Sequence, residues 1–327
     1  MMRPEMQACR KRGGTRPEMK LIRGLHNIRT ECRGGVATIG NFDGLHRGHR
    51  AIVEQVRARV QEHGGPATVI SFEPHPREFF APAAAPGRLT PLRDKAITLR
   101  AIGCEQLLCL PFNRRLAAME PEAFIHSVLV DGLGVRHLVV GDDFRFGCER
   151  RGDFALLAAA GAEHGFTVED TPTIDDGGRR VSSTRVREAL AEGNLERAGD
   201  LIGRPYTLSG RVINGDRIGR DLGFPTANIP LRRKPAMEGV LVAEVTLPGG
   251  ERRPAVASIG SRPTVGGTRP LLEVYLLDWR GDLYRRHLLV TFRRWLRGQE
   301  HYPSLDALKA QIARDVEDAR AWFRARD

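Results

Sequence analysis

The sequence predicts two consecutive folds: an α/β doubly wound parallel sheet, then a small antiparallel β-barrel with a C-terminal helix. Three observations carry this expectation. Continuous apolar runs alternate with helical periods up to about residue 202. Short β-branched runs with closely spaced Gly and Pro fill 206–292. An apolar stripe at helical spacing then ends the chain, whose 327 residues suit two domains of ordinary size.

In the first part, 36–39 reads as a strand that stops at Gly40-Asn41, and 48–62 as a helix. Further strands are expected at 67–72, 106–110 and 137–140, with helical periods at 94–102 and 121–129. Strands that are apolar throughout need cover on both faces, which is the condition of a parallel sheet. Ligands of such sheets gather at the carboxyl ends of the strands. A polar helical stretch, 186–201, follows Thr184. Beyond it, 207–213, 240–247, 254–259, 271–277 and 288–292 read as barrel strands. The last helix begins near Ser304, with Leu305, Leu308, Ile312, Val316 and Trp322 or Phe323 on the side expected to pack on the barrel. The expected division is 1–19 as a disordered extension, or a stretch ahead of a true start at Met19, then 20–202 and 203–327 as the two modules.

Lys and Arg number 51 against 40 Asp and Glu, a formal charge of +11. The excess is uneven: 20–202 balances, whereas 203–327 holds 22 basic and 14 acidic residues. A basic C-terminal half attracts either nucleic acid or phosphorylated small molecules, and charge alone does not choose. No RNP-like aromatic pair or helix-turn-helix pattern stands out, so nucleic acid is not the expected partner. No apolar run approaches the ~20 residues of a membrane-spanning helix, so no membrane partner is expected. The first nineteen residues lack the apolar segment of a secretory signal. Five cysteines, at 9, 32, 104, 109 and 148, form no CxxC pair. That argues against a disulfide framework and a thiolate zinc site, and for a reducing cytoplasm. A weak homo-oligomer is compatible with this reading.

Two segments of the first part carry chemistry. Residues 40–49 place Gly40, Gly44 and Gly48 around His46 and His49, directly after a strand and at the mouth of a helix. Histidines three apart share a helical face, and a helix N-terminus offers unpaired N–H groups to an anion. Gly44 and Gly48 would let the backbone approach a polyphosphate. A structural turn and a metal site are the competing readings, but a third ligand at metal-site spacing is missing. Ser182, Ser183 and Thr184 precede another helix, with Arg187 three residues after Thr184, so hydroxyls, N–H groups and a guanidinium could converge on one anion. Plain N-capping is the alternative there.

These segments, with others, make the first module resemble the nucleotidylyltransferase superfamily, whose signature is HxGH. Within it the resemblance is to the FMN adenylyltransferase module of the prokaryotic bifunctional riboflavin kinase/FAD synthetases. The matching text is Thr38-Ile-Gly-Asn-Phe-Asp-Gly, HxGH at 46–49, Phe72-Glu-Pro-His-Pro, Gly141-Asp-Asp-Phe-Arg-Phe-Gly, and Val181-Ser-Ser-Thr followed by Arg187. The resemblance implies ATP on Asn41, His46, His49, Ser183, Thr184 and Arg187, with the two histidines catalytic. It implies the flavin near Phe72, Pro74, Pro76, Asp143 and Phe146, aromatics that pattern alone would place in a core.

The second part concentrates Gly210, Gly215, Gly219 and Gly223 ahead of Pro225-Thr226-Ala227-Asn228. Glycine this frequent in a β-rich segment marks bulges or close ligand approach. Thr226 and Asn228 supply hard oxygen ligands suited to Mg²⁺ carrying phosphates; an ordinary turn is the alternative. No Walker A sequence occurs, which speaks against a P-loop kinase. The text resembles the flavokinase signature, supported by Gly239-Val, Ser258-Ile-Gly-Ser-Arg-Pro-Thr, Leu272-Glu-Val, Leu283-Tyr and Tyr302-Pro-Ser-Leu-Asp-Ala-Leu. The resemblance implies Glu273 as the base for the riboflavin 5′-hydroxyl, and Thr226 with Asn228 as holders of the metal and ATP phosphates. Leu241, Ser258 and Arg285 depart from the usual family text.

The expected function is therefore bifunctional: riboflavin and ATP to FMN, then FMN and ATP to FAD and pyrophosphate, with Mg²⁺ in both steps and flavins as substrates or products. A different nucleotidylyltransferase with a non-catalytic barrel, or a basic nucleic-acid-binding protein, are the alternatives.

Overall fold

The computed structural model describes residues 18–215, 219, 222–264 and 267–326, with backbone alone for 262–264 and 267–269. The expected extension up to residue 17, with Cys9, lies outside the described residues, as do Arg220 and Asp221 of the flavokinase-like text.

Strands β1 (Lys20–Arg23), β2 (Val36–Ile39), β3 (Ala67–Glu73), β4 (Gln106–Pro111), β5 (His137–Gly141) and β6 (Thr167–Thr171) form one sheet in the order β1-β4-β3-β2-β5-β6. Every pairing is parallel. The four expected strands are the inner ones. All four residues of β2 are buried, whereas β1 and β6 bury one residue each. Edge strands wetted on one face break the apolar run that reveals a strand in sequence.

Helices α1 (Arg47–His63), α2 (Pro76–Phe80), α3 (Leu92–Ala101), α4 (Arg114–Ala117), α5 (Pro121–Phe124) and α6 (Phe154–His164) connect the strands. The helix expected at 121–129 is α5 continued by a π-helical stretch, Ile125–Leu133, closed by Gly134 at φ 55°. From β2 the chain runs outward through β3 to β4, then crosses to β5 and β6 on the other side. The reversal opens a crevice at the carboxyl ends of β2 and β5.

The helix expected at 186–201 is two helices, α7 (Ser183–Ala191) and α8 (Leu195–Ile202). The break falls at Gly193, φ 71°, where a Cβ would lie 2.9 Å from the Trp295 ring. Asn194 then caps α8 by accepting from Arg197 N at 2.9 Å.

Six antiparallel strands follow: β7 (Thr207–Arg211), β8 (Ala227–Pro230), β9 (Gly239–Thr246), β10 (Arg252–Thr264), β11 (Gly267–Leu276) and β12 (His287–Arg297). Their order is β7-β12-β9-β10-β11-β8, and a bridge between Ile213 and Asn228 brings the ends together into a nearly closed barrel. Leu241, Leu272, Val274, Leu288 and Val290 fill its interior at zero exposure. The last helix, α9 (Leu305–Arg324), is capped by Ser304 and lays Ile312, Val316 and Ala319 on Val240, Val242 and Val256. Leu305, expected in that stripe, is exposed at the first turn, ahead of Ile312, and further along Arg297 pairs with buried Asp315 at 2.7 Å.

The modules share a hydrophobic core in which Leu89 and Val181 join α7, α8 and the barrel interior. Tyr206 donates from its hydroxyl to Leu89 O at 3.1 Å, and Ser209 N donates to Asp94 Oδ2 at 2.9 Å. Among the described residues, no helix is long and apolar enough to cross a membrane, and the four described cysteines are free thiols.

Candidate active sites

At the end of β2 the chain makes a tight return into α1. Phe42 (φ 47°), Gly44 (φ 87°) and Leu45 (φ 46°) all take left-handed backbone, costly for the two non-glycines. Both side chains are almost wholly buried, and that anchorage holds the turn. Asp43, also buried, accepts from Leu89 N at 3.2 Å and Thr90 N at 2.9 Å, and pairs with the Arg187 guanidinium. Beneath it, the Lys95 ammonium donates to Asn41 O at 2.6 Å and Ser71 Oγ at 3.1 Å. Burial holds this lysine's pKa below the ordinary value. Asn41 Oδ1 is buried and finds no partner among the described residues.

His46 is the N-cap of α1, its Nδ1 accepting from His49 N at 3.4 Å. That bond leaves the hydrogen of the neutral ring on Nε2. The two imidazoles stack with centroids 3.7 Å apart and planes 20° apart. Burial, then the Arg180 charge, pushes the His46 pKa down to about 4. Burial and then the His46 ring push His49 well below its ordinary value. Both rings are therefore neutral at pH 7, and His49 Nδ1 is buried with no partner among the described residues. The space beside the glycines is taken by protein: a Cβ would meet Leu89 Cδ1 at 2.8 Å from Gly44 and the His46 ring at 3.2 Å from Gly48.

Helix α7 begins against the same turn. Ser182 is its N-cap, accepting from Arg185 N at 3.3 Å, so capping falls to the first hydroxyl of the run. Ser183 Oγ donates to Asp43 O at 2.8 Å, Arg187 Nε donates to Gly87 O at 2.7 Å, and Thr184 is exposed. Asn41, His46, His49, Ser183 and Arg187 are thus gathered around one loop. Across the crevice, Arg180 pairs with Asp143 at 2.8 Å and Asp142 at 3.1 Å.

The flavin candidates fall on two neighbouring loops. Phe72, half-buried at the end of β3, meets Phe112 edge to face at 5.9 Å. Pro74 follows it, and Pro76 begins α2, which His75 caps by accepting from Arg77 N at 3.1 Å. Asp143 is exposed, whereas Phe146 belongs to the core and stacks on Phe144 at 5.6 Å.

In the barrel, register assembles the second site. Glu273 stands opposite Asn228 of β8 on one side and Ser258 of β10 on the other. Leu272 and Val274 point inward, so Glu273 lies half-buried on the outer face. The Asn228 amide donates to Thr226 O at 3.2 Å, and its Oδ1 is buried with no partner among the described residues. Gly215 lies so close that a Cβ would stand 2.5 Å from Asn228 Nδ2, and a Cβ on Gly219 would lie 3.4 Å from Thr226 Oγ1. Two glycines therefore cradle the two proposed oxygen ligands. An orphaned buried oxygen beside a hydroxyl fits a hard cation that carries phosphate.

The departures are accommodated: Leu241 is buried in the barrel, Ser258 Oγ accepts from Gln299 Nε2 at 3.1 Å, and Arg285 takes φ 63°. Asp43, Lys95 and Arg180 were not singled out from sequence. Asp43 and Arg180 stand in or beside the quoted motifs. Lys95 left no signal, because a lysine in a helical period reads as solvent-facing.

Family models described as FAD synthetase and riboflavin kinase match residues 28–185 and 202–323. A bifunctional riboflavin kinase/FMN adenylyltransferase of Pseudomonas fluorescens is 52% identical over 93% of this chain and 97% of its own. The protein of that name from Escherichia coli K12 is 51% identical over 93% and 98%. A crystal structure titled macrolide-efflux protein, from Streptococcus pneumoniae, superposes with a TM-score of 0.72 and 27% identity over 93% of this chain and 99% of that one. With two adjacent family matches and relatives at half identity along nearly their whole length, the chain belongs to the bifunctional riboflavin kinase/FMN adenylyltransferase family.

Proposed function

We propose that this enzyme converts riboflavin to FMN in its second module, 203–327, and FMN to FAD in its first, 20–202, using ATP in both steps. The observation that carries the reading is the row Asn228, Glu273, Ser258 on adjacent strands, which sets a carboxylate beside an orphaned amide oxygen. A hydroxyl nucleophile needs such a base. Glu273 accepts the proton of the riboflavin 5′-hydroxyl as its oxygen attacks the γ-phosphorus, and ADP leaves. Thr226 and Asn228 would hold Mg²⁺, which when bound supplies neutralising charge to the phosphates.

The first site serves a nucleophile that is already anionic. The FMN phosphate attacks the α-phosphorus of ATP and pyrophosphate leaves, so the protein supplies alignment and donors rather than a base. His46 Nε2–H, His49, Ser183, Thr184 and Asn41 bind the nucleotide, whereas Arg187, expected with them, spends its guanidinium on Asp43 and Gly87 O and keeps that loop in place. Phe72, Pro74 and Pro76 border the flavin, with Asp143 at its rim and Phe146 as floor. The free thiols support a reducing compartment, the cytoplasm.

The test is incubation of the purified chain with riboflavin, Mg²⁺ and ATP, resolving FMN and FAD over time. Glu273→Gln is expected to stop FMN formation while FAD still forms from added FMN. His46→Ala and His49→Ala are expected to do the reverse. Kinase turnover retained by the glutamine variant, or FAD formation unchanged in both alanine variants, removes the corresponding assignment.

A further inference from the structure

Segment 87–90 lies between the barrel and the first site. On the barrel side, Arg88 N donates to Lys234 O at 2.8 Å and Arg88 bridges to Pro235. Gly87 packs so tightly that a Cβ there would stand 2.3 Å from Pro235 O and 2.7 Å from Ala236 Cα. The opposite side of the segment belongs to the site. Gly87 O accepts from Arg187, Leu89 N and Thr90 N donate to Asp43, and Thr90 Oγ1 accepts from Gly44 N at 2.9 Å. The Arg88 side chain, 6% exposed, forks between Glu73 at 2.9 Å and Glu78 at 2.6 Å. Those carboxylates bracket Pro74 and Pro76 in sequence.

We propose that segment 87–90 is a positioning device through which the barrel holds the adenylylation site in shape, with Arg88 and Gly87 as its positioning residues. The proposal rests on the reading of the first site given above. Two considerations favour position over stability as the role of the Arg88 fork. A buried ion pair is weak evidence of stabilisation, since an apolar replacement is often neutral. A guanidinium also fixes two carboxylates in one plane and direction, which a lysine cannot do. The fork ties both ends of the flavin loop to a residue whose own backbone is fastened to the barrel. The same segment's amides fix the ATP loop through Asp43. A displacement of Pro235 would therefore reach both substrates of the first site, and a 1 Å misplacement of reacting groups is enough for large rate losses.

The test uses the full chain carrying Gly87→Ala or Arg88→Lys, with both reactions assayed on the same samples. FAD formation from FMN is expected to fall at least tenfold in each variant. KM for FMN is expected to rise in Arg88→Lys, and KM for both FMN and ATP in Gly87→Ala. Riboflavin phosphorylation is expected to stay within twofold, which shows the barrel folded. Wild-type kcat and KM for adenylylation in both variants overturns the positioning role. So does parallel loss of both activities with a lowered melting temperature, which marks a purely structural segment. A wild-type chain that makes no FAD from FMN, by contrast, fails at the reading of the site itself.

Discussion

In the imidazole pair of the first site burial outweighs the neighbouring charges, and that has a measurable sign. The His46 pKa falls from 6.5 to about 4 in the folded chain. Between those values the unfolded chain binds a proton that the folded chain does not, so stability falls as pH drops from 6.5 towards 4 and levels off below it. At 1.36 kcal/mol per unit, the ceiling for this group is about 3 kcal/mol. His46→Asn keeps an N-cap side chain for α1 and removes the titration. Its urea midpoints at pH 7 and pH 4.5 are expected to lie closer together than those of the wild type; an unchanged gap would mean that the His46 ring is not held neutral by burial. At this scale the sequence was most legible where the chemistry is contiguous. The HxGH text, the 183–187 run and the Thr226, Asn228 pair each announce themselves within ten residues. Lys95 and Asp43 did not, because their partners lie tens of residues away, nor did Arg88, whose carboxylates 10 and 15 residues back meet it only through the fold.

Between elements, the second site depends on how a glycine of one segment lies against a strand. Gly215 leaves the Asn228 amide just enough room, and a methyl group there would stand 2.5 Å from Nδ2 and 2.9 Å from Oδ1. The amide must then turn, losing its bond to Thr226 O and redirecting the oxygen proposed to meet the metal. Gly215→Ala is expected to lower FMN formation at least tenfold, about 1.4 kcal/mol of barrier, with a raised KM for MgATP. FAD formation from FMN should stay within twofold of wild type. Steady-state rates with each flavin decide it, and full kinase activity would show that the cradle around Asn228 is dispensable. The inner strands were legible as unbroken apolar runs, and α1 and the terminal helix by their helical period. The edge strands β1 and β6, mostly wetted, carry no such run, and β8 is four residues long. The break between α7 and α8 is local, with Gly193 at φ 71° and Asn194 capping α8, but the helical period that runs through 186–201 masks it.

Across the whole molecule, the two modules are joined by one continuous core. Leu89 and Val181 of the first part share a core with α7, α8 and the barrel interior, and Tyr206, 2% exposed, reaches back to Leu89 O. Asp94 of α3 is buried at the junction, where its carboxylate accepts from both Ser209 N and Ser209 Oγ. Units joined by a common core unfold together, whereas units joined by a wet polar interface part company. The chain is therefore expected to show a single calorimetric transition, with kinase and adenylylation activities lost over the same temperature range. Asp94→Ala strips the acceptor from the part-buried Ser209 N–H, which costs about 1–3 kcal/mol at most. Spread over a chain of this size, that corresponds to roughly 2–5 °C in the midpoint, and the transition should move down without splitting. Asp94→Asn retains an acceptor oxygen and should recover part of the shift. Two resolved transitions, or a kinase activity that outlasts adenylylation on heating in the wild type, would show that the shared core does not couple the modules. The coupling also says why 87–90 is placed to act as it does: a segment that clasps the barrel on one side can hold a substrate loop on the other only if the barrel itself does not move away.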